Sequence, residues 1–127
     1  MIESGILEII KDSQRLTQLA DEFRQGRDIG DLLALLNAEH HDIVTIGAWI
    51  AGEITIDPAK AQPFISRLQQ LVNHKVPAIR FNAIGAIFPF LDRSDPAARE
   101  MLVRLSADSN EGVRRIAQAA LTRMSQM

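Results

Sequence analysis

The sequence predicts an all-α protein made of stacked helix pairs, and three observations lead there. Apolar residues of the opening segment recur at steps of three, four and seven. Three segments repeat one another at nearly constant spacing, and Asp-Pro pairs mark two of the helix starts. Composition agrees: 127 residues with 46% apolar content suffice for one core, without disulfides. The absence of Cys removes thiolate metal sites and a Cys nucleophile. The near balance of 14 basic and 16 acidic residues argues against disorder and against indiscriminate nucleic-acid binding.

Ile2, Ile6, Ile9, Ile10, Leu16, Leu19, Ala20 and Phe23 form one helical stripe that Gly26 stops. Asp12-Ser13 offers a cap inside it, so residues 1–26 read as one long helix or two short ones. Asp28 caps a short helix carrying Ile29, Leu32, Leu33, Leu35 and Leu36, which ends near Asn37. Ile43-Val44-Thr45-Ile46 and Ile54-Thr55-Ile56 have the β-branched content of strands. Internal repetition overrides that propensity. Helices are expected at Asp57-Pro58 and Asp95-Pro96, where Pro at the first helical position loses no hydrogen bond. Pro63 either distorts the first turn of the former or starts the regular helix itself. Pro89 should bend or end the helix that begins near Pro77.

The repetition runs from Leu35-Leu36 to Val44, Ala48 and Ala51, from Leu71-Val72 to Ile79, Ala83 and Ala86, and from Leu105-Ser106 to Val113, Ala117 and Ala120. Val44 to Ile79 is 35 residues and Ile79 to Val113 is 34. Small side chains at fixed positions let neighbouring helices approach closely, so that units share a core none could form alone.

The third unit, from Leu105-Ser106-Ala107-Asp108 through Val113-Arg114 to Ala117, Ala120 and Leu121, resembles the HEAT repeat. The second keeps Ile79-Arg80, Ala83, Ala86 and Ile87 but has His74 for the turn Asp. The first has Glu39 and Thr45 in place of Asp and Arg. The resemblance implies a short right-handed α-solenoid of about three hairpins: a single domain with an N-terminal helical cap over 1–26 and repeats over 28–55, 57–91 and 95–125. It also implies an Asp–Arg ladder between turns, with Asp108 and Arg114 as a pair, and a binding surface on the second helices. Tetratricopeptide units want aromatic positions that a chain without Tyr lacks, and the Thr-Pro-Leu-His entry of ankyrin units is missing.

If Val44, Ala48 and Ala51 face inward, Trp49 and Glu53 point outward, with Ile84, Phe88, Gln118 and Thr122 as their equivalents and Thr45, Arg80 and Arg114 alongside. Trp49, Ile84 and Phe88 then form either an apolar partner site or packing covered by adjacent helices. The expected partner-binding set is Trp49, Glu53, Arg80, Ile84, Phe88, Arg114 and Gln118. His40, His41 and His74 lie in successive turns without a recognised metal spacing and read as ordinary turn histidines.

No phosphate loop, nucleophile elbow or His-Glu-x-x-His helix is present, and no acid–base pair can be nominated. Charge is uneven: residues 1–62 carry five basic and eleven acidic side chains, residues 63–127 nine and five. The expectation is a cytoplasmic, non-enzymatic module without cofactor or metal, monomeric or weakly homo-oligomeric, that binds another protein as an adaptor or an inhibitor. A bacterial immunity protein against a basic toxin is an analogy of that kind. The alternatives are a homo-oligomeric scaffold, or a HEAT-like pigment lyase or DNA glycosylase. Composition argues against nucleic acid, and the longest apolar stretch, Ala83 to Leu91, is too short to span a membrane.

Overall fold

A computed structural model describes residues 12–126. Asp12 starts α1 (Ser13–Arg24) by accepting hydrogen bonds from the amides of Gln14 and Arg15 at 3.0 and 3.3 Å. A helix therefore begins at Ser13, while Ile2, Ile6, Ile9 and Ile10 of the predicted stripe lie outside the described residues. Gly26 ends α1 in the left-handed region, at φ 110°. The Gly26 amide donates to Phe23 O and the Arg27 amide to Glu22 O, closing a Schellman turn that satisfies carbonyls of the last helical turn. Asp28 then caps α2 (Ile29–Leu36) through the Gly30 amide, at 2.9 Å.

The β-branched run is helical. α3 (His41–Glu53) covers it up to Glu53, and Ile54 to Asp57 are irregular, with no strand among the described residues. Burial outweighs propensity here: Ile43, Val44, Ile46 and Ile50 all enter the core. At Asp57-Pro58 the long helix does not form. Asp57 caps only a 3-10 turn, Pro58–Lys60, and α4 (Gln62–Leu71) starts with Pro63 in its first turn. A helix running through from Pro58 would have met the ring of Pro63 in its interior, whereas a restart at Gln62 places that ring where no amide is needed. α5 (Pro77–Ile87) gives way to a 3-10 turn, Phe88–Phe90, around Pro89. Asp95 caps α6 (Pro96–Leu105) through the Ala97 amide, and α7 (Glu111–Gln126) completes the described chain.

The helices pack in pairs, α2 with α3, α4 with α5 and α6 with α7. The second members also pack on one another in order, α3 on α5 and α5 on α7. α5 touches α3, α4 and α7, and it accordingly buries Ile79, Ala83, Ile84, Ala86 and Ile87 on more than one side. One hydrophobic core runs from Leu19 and Phe23 of α1 to Met124 of α7.

α2 and α3 meet most closely at Gly47, where a Cβ would lie 3.0 Å from Leu35 Cβ and 3.2 Å from both Leu35 C and Leu36 N. Two of these neighbours are backbone and cannot move aside. Gly47→Ala is therefore expected to destabilise the fold by about 1–2 kcal/mol, overpacking outweighing the helix propensity gained. A urea denaturation midpoint that stays level or rises would contradict this close approach.

Candidate functional site

The turns between paired helices are built by side chains that bond the backbone just before or at the start of the second helix and clamp the loop. His40 Nδ1 accepts the Asp42 amide at 3.3 Å, His74 Nδ1 the Val76 amide at 3.0 Å, and Asp108 Oδ1 the Asn110 amide at 2.8 Å. Arg80 Nη1 donates to the carbonyls of His74 and Lys75 at 2.9 and 3.1 Å. Arg114 Nη1 does the same to Asp108 and Ser109, at identical distances. The Asp108 carboxylate pairs with Arg80 of the preceding hairpin, bidentately at 3.0 and 2.8 Å, and not with Arg114 as expected. Arg114 reaches Asp108 only through its carbonyl, because Nη1 is taken up by its own turn. Thr45 is no counterpart of these arginines, since its hydroxyl donates to His41 O one turn back in α3. A further link that the sequence reading missed is Arg67 of α4, whose Nε donates to Leu36 O at the end of α2, at 3.0 Å.

The Arg80–Asp108 pair is only 12% and 11% exposed, and the Arg80 hydrogen bonds, with Asn110 and the nearby charge of Arg114, hold the Asp108 carboxyl below its ordinary value of 3.8. Burial works against this shift and is outweighed.

The arginines thus belong to the turns, and neither lines the open face of the second helices. There, Trp49, Gly52 and Glu53 of α3, Phe81, Asn82 and Gly85 of α5 and Ile116 of α7 surround a depression of about 280 Å³. A smaller one of about 160 Å³ adjoins it across Gly85 and Ile116 and is bordered by Phe88 and Arg123. The Arg123 guanidinium lies over the Phe88 ring, 5.4 Å from its centroid. Gly52 and Gly85 form a low floor between these aromatic walls. Glu53 stands exposed at the end of α3, with Arg24 of α1 3.5 Å away. Gln118 is exposed on α7 and donates weakly to Ser106 O, at 3.4 Å.

Of the predicted strip, Trp49 and Phe88 are half-buried on this face, but Ile84 is wholly buried, at 0% exposure. Phe81, not among the expected residues, is instead 41% exposed. The cause is register. The N-caps of α3 and α5 are His40 and Val76, 36 residues apart and not 35. On a helix, one residue rotates the face by about 100°, turning Ile84 inward and bringing Phe81 and Gly85 out. Burial agrees with the longer spacing: Gly47 and Ala83, Ile50 and Ala86, Ala51 and Ile87 are buried in pairs, while Trp49 matches Gly85. Leu35-Leu36 and Leu71-Val72, where the first two repeating segments begin, likewise stand 36 apart.

Among the described residues no group of three His, Asp or Glu side chains is arranged to hold a metal ion, and no helix is long and apolar enough to cross a membrane. His41 and His74 meet ring edge to face, with centroids 4.9 Å apart. No family model matches the chain, and neither a curated protein nor a solved structure matches it.

The ion pair yields a direct test. Asp108→Asn leaves Arg80 without its counter-charge and is expected to cost about 2 kcal/mol at neutral pH. In the parent protein this contribution is complete above the ordinary carboxyl value near 3.8 and is lost as pH falls through the lower folded-state value. Denaturation of both proteins across that acid window should show the parent's stability converging on the variant's. Parallel profiles would remove Asp108 from the account.

Proposed function

We propose that this chain is a short right-handed α-solenoid of HEAT-like hairpins that binds another protein along the outward face of α3, α5 and α7, without catalysing a reaction. The observation that carries the reading is the depression walled by Trp49, Phe81 and Ile116. An exposed phenylalanine and two half-buried apolar side chains around a common floor are characteristic of protein contact surfaces. The ordered packing of α3 on α5 and α5 on α7 supports the solenoid, as does the Arg80–Asp108 link between successive turns.

The two floor glycines support the contact reading. A Cβ on Gly85 would meet Ile116 Cδ1 at 3.6 Å, and one on Gly52 the backbone of Ala86 at 3.6 Å, both ordinary contacts. Internal packing therefore does not require glycine at either place, although glycine in a helix costs roughly 1 kcal/mol relative to alanine. Low relief there admits a partner's backbone or side chains. The adaptor and inhibitor roles both fit such a surface. Glu53 borders one depression and Arg123 the other, and the two would orient a partner by charge.

The test is affinity capture from the native host with the parent chain, Phe81→Ala, Trp49→Ala and Gly85→Ala side by side, with stability measured on each. Gly85→Ala should raise stability by up to about 1 kcal/mol while weakening capture, because it raises the floor. Phe81→Ala should weaken capture roughly tenfold or more, with little effect on folding. A specific partner retained equally by all four proteins would rule out this face, and assembly of the purified chain into a stable oligomer that buries Phe81 would favour a self-associating scaffold.

A further inference from the structure

The turn that joins α4 to α5 depends on a histidine acting as a hydrogen-bond acceptor. His74 receives the Val76 amide on Nδ1 at 3.0 Å, so its neutral ring carries the proton on Nε2. Its carbonyl is held by Arg80 at 2.9 Å, and its ring stands against His41, the first residue of α3. One imidazole therefore connects the start of the first hairpin's second helix with the start of the second hairpin's.

The charged and titratable groups acting on it come from every element nearby: His41 from α3, Arg67 from α4, Lys75 from the turn and Arg80 from α5. All are basic. Burial, followed by these groups, lowers the His74 pKa from its ordinary 6.5. Protonation on Nδ1 would both abolish the acceptor for the Val76 amide and add a cation beside the others, at the positive end of α5.

We propose that His74 is an acid-sensitive latch between the first two hairpins: while neutral it holds turn and helix start together, and on protonation it releases the Val76 amide, parts from His41 and loosens α3 against α5. Because the folded-state value is depressed, the latch is closed above about pH 6.5 and opens as pH falls through the lower value. The walls of the open depression, Trp49 on α3 and Phe81 on α5, stand on the two helices the latch joins. The latch stands independently of whether a protein docks between them.

Trp49 is the chain's only tryptophan and so reports on α3 by its own fluorescence. The experiment follows three signals from about pH 7.5 to about pH 5: the His74 ring by NMR, amide-exchange protection of Val76, and Trp49 emission. In the parent protein the three are expected to change together with a midpoint below 6.5, and Val76 protection to fall roughly fivefold, as for loss of one hydrogen bond. His74→Asn and His74→Asp each keep an acceptor oxygen that does not titrate in this range. Both should leave Val76 flat. An unchanged Val76 in the parent, or the same change in both variants, would overturn the latch. Opening at Val76 with a constant Trp49 signal would overturn its coupling to α3.

Discussion

The arrangement depends on how closely the second helices can approach one another. α3, α5 and α7 place Ala48, Ala51, Ala83, Ala86, Ala117 and Ala120 in the core, and at those positions a larger side chain would force the helices apart. Close approach brings the long side chains of the first helices, Leu32, Leu35, Phe64, Leu68, Leu71 and Leu102, down onto the seam. It also brings successive turns near enough for Arg80 to reach Asp108 and for His41 to meet His74. Small residues inside and specific polar links at the edge are two results of the same spacing.

Most of the fold was legible because its signals are local and independent of partner identity. Asp12, Asp28 and Asp95 each cap the helix start that their sequence positions announce, and Gly26 adopts the positive φ that its place after Phe23 and Arg24 invites. Pro89 ends α5 as its missing amide requires. The β-branched segment from Ile43 was resolved by repetition, which carries long-range information that a residue's own propensity does not.

The open face was less legible, for a geometric reason. Inward positions tolerate a register error, because α5 is apolar on several sides and Ile84 or Phe81 would each satisfy a pattern search. Outward positions do not, since a slip of one residue exchanges the exposed side chain for a buried one. Trp49 belongs to the reference helix and keeps its face at either offset, whereas Ile84 takes an outward place only at an offset of 35 and is buried at the observed 36. The pairing of Asp108 with Arg80 was hidden differently. A carboxylate six residues before one arginine and 28 after another can serve either, and only the direction of its turn decides.

The burial of α5 on several sides bears on how the chain emerges during synthesis. Until residues 77–87 leave the ribosome, the faces of α3 that α5 will cover have nothing apolar to meet, and the same holds for α5 until α7 follows. The nascent chain therefore passes through two intervals in which a sticky helix waits for its neighbour. Slow translation or a missing C-terminal helix would lengthen that exposure.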